Sequence, residues 1–483
     1  MGKEKFTHKE FWMNFIFYYL WGLITFGGGI ILILVLHFEI FNEVLIYWAS
    51  VFLAILFVYS LWSWKHITGS IFDSYTLFLI SAVLFNAGET LLKSANIGSS
   101  PFFYEHFSER TVGETLCLVL LGLYAFHLGA LTCGKMSIRV GNAYQENKIA
   151  DARDIRLVGW ILISISFLPA FFYFQDSLSH VMSYGYFSLF KSDPATSFAA
   201  TDQILATFLV PGILFLLAGS RGKLFILIVS IILIVGYTSI RLFLGSRAWA
   251  SMPFIVFVFI FHRYIYRIPK SLLLGGGILL LFLIFPFIGE IRNIPGHQRL
   301  SYGVMTGALS SMGNPIISIL SEMGGSIRTV AYTLELVPGI RGYDFGAGYL
   351  NALFAVIPNL FWPVHPAILR GTASDWMTMT IEPISAYMGG GMGYSFIAES
   401  YLNFGWTGSP FVLFGFGFVY TKLVFWAQNS RDPARIAMLA SFLAFFLFFA
   451  RSESVLVIRP LIWYALVPYL MVLSIRYLKK IFR

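Results

Sequence analysis

The sequence predicts an all-α polytopic membrane protein of about twelve transmembrane helices, with one large loop on a single side. Of the 483 residues, 58% are hydrophobic and only 12% charged, where soluble domains carry about 25% charge. The mean hydropathy is +0.76. The apolar residues also fall into runs of spanning length, interrupted by one long stretch, 290–394, that is too polar and too rich in turn formers to cross a bilayer. These observations divide the chain into helices one to nine over 1–289, a loop or cap over 290–394, and helices ten to twelve over 395–483.

In order, the runs lie at 12–36, 44–62, 72–92, 112–133, 156–174, 203–219, 223–242, 248–262, 271–289, 404–426, 436–450 and 460–477. The first follows Lys3, Lys5 and Lys9. It is longer than the apolar core of a signal peptide and has no small-residue cleavage site, so it reads as a spanning helix with its N-terminus inside. The excess of Lys and Arg on cytoplasmic loops then orients the chain. Connections such as 134–155, 263–270 and 427–435 fall inside, as do Arg476, Lys479, Lys480 and Arg483, and both termini are expected in the cytoplasm. On this assignment 21 of the 33 Lys and Arg face inward, 10 Arg and 11 Lys. Of the twelve facing outward ten are arginine, the exceptions being Lys93 and Lys191. Interfacial anchors and loop salt bridges would give that bias, and so would an external anion site fed from several helices.

The formal charge of +9 does not point to nucleic acid, because the lysines follow membrane topology rather than forming one patch. Cys117 and Cys133 share one apolar helix and form neither a disulfide framework nor a metal motif. The outward segment 175–202 mixes Asp176, His180, Lys191, Asp193 and Asp202 with aromatics and serines, the composition of an amphipathic excursion along the membrane surface.

The stretch 290–394 holds five arginines (Arg292, Arg299, Arg328, Arg341 and Arg370), no lysine, six acids, seven of the 18 prolines and 15 glycines. It keeps apolar runs such as 349–357, so a folded cap of short helices is expected rather than a disordered loop. Guanidinium groups grip phosphate by two-pronged hydrogen bonding, and an all-arginine cation set suits that task better than lysine would.

Other cations flank the cap in sequence. In Arg241-Leu-Phe-Leu-Gly-Ser-Arg247, Arg247 opens a returning helix beside small residues, where a ligand oxygen can approach helix-start amides. In Ala450-Arg451-Ser-Glu453 through Arg459-Pro460, two arginines share one acid at bilayer depth, and Glu453 is expected to neutralise Arg451 at most. Arg292 and Arg328 each precede a glycine by eleven positions, Gly303 and Gly339. For proton transfer the outward candidates are His365 in a proline-fixed turn, Asp375, Glu382 and Glu399, the last being either an arginine partner or a base. HExxH, GxxxxGK[ST], GxSxG and DxD are missing, and nothing supports Glu39 and Glu43 as a metal site, so no metal is expected.

Several of these pieces together resemble the O-antigen polymerase (Wzy-like) family. They are Leu244-Gly-Ser-Arg247-Ala, the turn Ile357-Pro358 through Trp362-Pro363 to Pro366, the helix start from Ser395 and Glu399 to Gly405, and Ala450-Arg451 with Glu453 and Arg459. The two arginine-to-glycine spacings also resemble outer-loop motifs of some members. The resemblance is carried by the C-terminal half, while residues 1–240 match as generic spanning helices. His365 stands where related chains often have Lys or Arg.

The resemblance implies a GT-C-type glycosyltransferase without cofactor in the bacterial inner membrane, with its site in the periplasm. Its donor and acceptor would be undecaprenyl-diphosphate-linked oligosaccharides, the bilayer its setting, and a chain-length regulator protein a further partner. In that reading Arg247, Arg451 and Arg459, helped by Arg292 and Arg328, hold the departing diphosphate. His365, Glu399 or Asp375 takes the acceptor proton, and Tyr349, Phe354, Phe361 and Trp362 stack on sugars. Two alternatives remain at this level: an O-antigen ligase, with the same chemistry, and a lipid-linked oligosaccharide flippase, which the one-sided arginines and 105-residue loop disfavour.

Overall fold

The computed structural model describes residues 43–97, 102–141, 152–190, 197–359, 362–430 and 432–482. The expected first span, 12–36, lies outside the described residues, as do Glu39, Lys191, Asp193, Phe361 and Arg483. Among the described residues every regular element is helical.

Ten helices are long and apolar enough to cross a membrane. They are α1 (Glu43–Thr68), α2 (Ser74–Ala95), α3 (Glu109–Gly141), α4 (Arg153–Tyr184), α6 (Leu224–Phe243), α7 (Arg247–Ile260, continuing to Ile265), α8 (Lys270–Leu279, continuing to Ile291), α14 (Phe396–Gln428), α15 (Pro433–Phe446, continuing to Arg451) and α16 (Ser454–Leu461) running through a π turn into α17 (Val467–Ile481). The expected span at 203–219 is a shorter apolar stretch, Asp202–Ala218, whose second part is α5 (Leu209–Ala218).

Two boundaries depart from the hydropathy reading. α4 runs ten residues past its expected end at 174 and so absorbs the start of the presumed surface excursion. α14 starts eight residues before the expected 404, because Ser395 caps it, accepting from the amide of Ile397 at 3.1 Å. That first stretch of α14 contains Glu399, Ser400 and Asn403, all buried. A hydropathy window scores such residues as solvent-facing, although here they are satisfied inside the protein.

α3 is the central helix and is buried on nearly every face over residues 111–134. Its broadest contact is with α14, and glycine makes that approach possible. A Cβ on Gly417 would sit 1.9 Å from the Phe126 carbonyl oxygen, and one on Gly129 would sit 2.0 Å from that of Phe414. Lipid provides no hydrophobic drive between helices, so intimate backbone contact of this kind carries the association.

The stretch after α8 folds as short helices, among them Tyr302–Ser311, α9 (Pro315–Gly324), α10 (Ser326–Leu336), α11 (Ala347–Phe354), α12 (Pro366–Arg370), α13 (Ala373–Ile381) and Pro383–Tyr387. Proline at the first helical position opens α9 and α12, behind the caps Asn314 and His365, while Thr372 caps α13.

Ion pairs fix one end of the bundle. Arg476 donates to both oxygens of Asp432 at 2.6 and 2.9 Å, Lys479 pairs with Asp154, and Arg263 reaches the Phe72 carbonyl (2.9 Å) and Gln428 (3.2 Å). Since α2, α7, α14 and α15 all have one terminus there, Glu89, Arg247, Glu399 and Arg451 lie toward the opposite end. The short helices gather with them.

Candidate functional site

Three arginines from separate parts of the chain meet at that opposite end. The turn between α6 and α7 requires Gly245: its φ is +87°, and a Cβ there would lie 2.9 Å from Cβ of Arg292 and 3.0 Å from the Tyr186 ring. Arg247, the first residue of α7, donates to the Phe285 carbonyl at 2.8 Å and pairs with Glu322 of α9. Arg292 approaches the same Glu322 oxygen at 3.8 Å and lies over the Tyr186 ring, 5.2 Å from its centroid. Arg451 sits over the Phe85 ring at 5.3 Å and feels the charges of Arg247, Arg292 and Glu322. It is exposed and makes no ion pair among the described residues. Two guanidinium groups thus share one carboxylate and a third lies within range of its charge, leaving a surplus of positive charge.

Arg299 ties this arrangement together. It is 2% exposed and donates to the carbonyls of Ile294 (2.8 Å), Arg292 (2.5 Å) and Phe243, so it holds the Arg292 segment against the end of α6.

The other two arginines expected at the diphosphate are not joined to this group by any described contact. Arg328 pairs at 2.6 Å with Glu89, a fully buried acid on α2, and covers the Phe102 ring at 4.2 Å. Arg459 lies on α16 over the Trp463 ring at 5.2 Å. Glu453 does not neutralise Arg451 as expected. Its two oxygens accept from the amides of Ala373 (2.8 Å) and Ser374 (2.9 Å), capping the positive end of α13. Burial pushes the Glu453 carboxyl above the usual carboxylate range despite those two amides.

Beside the arginine group lies a narrow cleft, its closed part about water-sized, lined by Glu399 and Glu453. Glu399 is 2% exposed. It accepts from the amide of Ser454 at 2.9 Å and from its hydroxyl, and it has no arginine partner among the described residues. Across the cleft, Arg341 and Arg370 both bond Asp344, at 3.0 and 2.6 Å. Asn351 also lines it. The cleft and the arginine group adjoin: the Ser374 hydroxyl donates to the Gly393 carbonyl at 3.0 Å, and Gly393 packs against Arg451.

The remaining base candidates are placed differently. His365 is buried, with one ring nitrogen accepting from the amide of Ala367 at 3.1 Å and the other donating to the Ile357 carbonyl at 2.9 Å. Both nitrogens are occupied, so the ring serves as a helix cap. Asp375 is exposed in the first turn of α13, its amide held by the Thr372 hydroxyl at 2.9 Å. Among the aromatics expected to stack on sugars, Tyr349 lies parallel to Phe404 at 6.2 Å and Trp362 edges onto His365 at 5.2 Å. Both are packed against protein.

Sequence reasoning did not single out Glu322, Asp344, Asn351 or Tyr186. The only local signal for Glu322 is an acid near the end of a strongly amphipathic helix, which reads as an ordinary solvated residue. Among the described residues no three His, Cys, Asp or Glu side chains gather as metal ligands would.

A family model described as O-antigen polysaccharide polymerase Wzy matches residues 16–481. The match takes in the N-terminal helices that the short motifs left generic. No curated protein and no solved structure matches the chain.

Proposed function

The chain belongs to the O-antigen polysaccharide polymerase Wzy family, and we propose that it joins undecaprenyl-diphosphate-linked oligosaccharide units at the periplasmic face of the inner membrane without a metal ion. The observation that carries this reading is that Arg247 and Arg292 gather on Glu322 with Arg451 within range of all three charges. As the anomeric C–O bond of the donor breaks, its electron pair passes to the lipid diphosphate. Fixed guanidinium groups aimed at that growing charge stabilise it where water is partly excluded. The acceptor hydroxyl oxygen bonds to the anomeric carbon and its proton must leave. Glu399 is the base: it lines the cleft beside the arginines, and among the described residues it has no arginine to hold it ionised. Arg328 and Arg459 drop out of the diphosphate set on this reading. The end carrying Asp154, Asp432 and Arg476 faces the cytoplasm, in keeping with the inward bias of lysine.

The test is purified protein given a defined lipid-diphosphate repeat unit with EDTA present, with products resolved on a gel. Polymer is expected from the wild type and none from Arg247→Lys or Arg451→Lys, because a point charge cannot replace a two-pronged donor. Normal ladders from both folded variants would refute the assignment, and loss of wild-type polymer on adding EDTA would refute metal independence.

A further inference from the structure

We propose that the cleft of Arg341, Asp344, Asn351 and Arg370 is a saccharide subsite that takes the hydroxylated edge of one sugar ring of the acceptor, with Asn351 as the selecting residue. This rests on the glycosyl-transfer reading and assigns the second substrate to its own place. The first observation is Asn351 itself. It is only 6% exposed and lines the cleft, yet its side-chain amide makes no hydrogen bond among the described residues. With most of the residue buried and its amide open to the cleft, the donor and acceptor of Asn351 are left for whatever enters there.

Charge is the second observation. Around the cleft two arginines face three carboxyl groups, those of Asp344, Glu399 and Glu453. A diphosphate would be repelled here and drawn instead to the arginine group next door, where Arg247 and Arg292 share one acid and Arg451 lies near them. A neutral ring with vicinal hydroxyls suits the cleft, because each hydroxyl both donates and accepts. Arg341 and Arg370 each commit an Nη2 group to Asp344 and keep other N–H donors for a ligand. Asn351 supplies a donor and an acceptor side by side.

Size and position agree with that occupant. The closed part of the cleft has room for about one water, so a single ring hydroxyl enters it while the rest of the saccharide lies across the mouth. Glu399 faces the same cleft, so a hydroxyl bound there lies within reach of the proposed base, and Gly393 links the cleft wall to Arg451.

The experiment uses the full chain in lipid nanodiscs and two probes: the oligosaccharide freed by mild acid from the source cell's own surface polymer, without lipid or phosphate, and inorganic pyrophosphate. Wild-type protein should bind both. Asn351→Leu should weaken the saccharide roughly tenfold, the cost of one lost two-pronged contact, and leave pyrophosphate unchanged. Arg451→Lys should do the reverse. Asn351→Ala provides a second variant should leucine disturb folding, and thermal melts check both. Saccharide binding unaltered in the folded Asn351 variants, or no saccharide binding by wild type that still binds pyrophosphate, overturns the subsite alone. A wild type that does not bind pyrophosphate overturns the underlying reading instead.

Discussion

On the proposed function Glu322 stands where the diphosphate would bind, and replacing it by glutamine therefore offers a sharp test. Its carboxylate pairs with Arg247 and lies 3.8 Å from Arg292. A dianionic ligand has to displace it, so the free energy of that pairing is subtracted from ligand affinity. The Glu322 side chain is 45% exposed and that of Arg247 only 11%. Solvent-exposed ion pairs are worth about 0.2–1 kcal/mol, and the shielded arginine puts this one near the top of that range. Glu322→Gln should then bind pyrophosphate more tightly by about 1 kcal/mol, roughly fivefold in Kd. The longer Arg292 contact adds little. Calorimetric titration of the nanodisc-embedded protein measures this, and the gap should narrow as salt screens the pair. Weaker or unaltered binding would refute the reasoning, because it would mean that the carboxylate orders the guanidiniums rather than competing for them.

His365→Asn should leave polymer synthesis close to wild type, since asparagine is among the best helix caps and can replace the ring nitrogen that holds the Ala367 amide. Loss of polymer by a folded variant would return His365 to the role of base. Gly417→Ala should lower stability by roughly 1–3 kcal/mol, because its Cβ would press on the Phe126 carbonyl at 1.9 Å. Gly415→Ala, in the same helix with nothing within 4 Å, should not, and thermal melts in detergent compare the two. Asp432 is partly buried, which raises a carboxyl pKa, yet its hydrogen bonds to Arg476 prevail and hold it below the usual value. A depressed folded-state value means that this pair stabilises the fold above the unfolded carboxyl pKa of about 3.9 and fades as pH falls below it. Melts across that range should show an acid loss that Asp432→Asn lacks.

The amino-acid sequence alone determined the class of protein, a polytopic chain of apolar helices. Hydropathy is a local property, and the energy of removing charge from water is large enough to write spanning helices directly into composition. The uneven division of arginine and lysine between the two sets of connections could be read from the same pattern, and Arg247, Arg292 and Arg451 could be named because they sit at helix ends or in the loop, where a cation costs least. Even so, the start of α14 was lost to the hydropathy window, since Glu399, Ser400 and Asn403 are polar in sequence and satisfied in the interior.

Which charges meet which was decided only by the tertiary structure. Glu453 stands two residues from Arg451 in the chain but gives its oxygens to the start of α13, about eighty positions away. Asp344 finds Arg370 across a loop, and Glu322 finds Arg247 from another helix altogether. His365 carries the ordinary credentials of a base until the fold places an amide on one nitrogen and a carbonyl on the other. Pairing depends on distances of a few ångströms between elements far apart in sequence, and Coulomb and hydrogen-bond energies change over just that scale. No window of sequence contains that information.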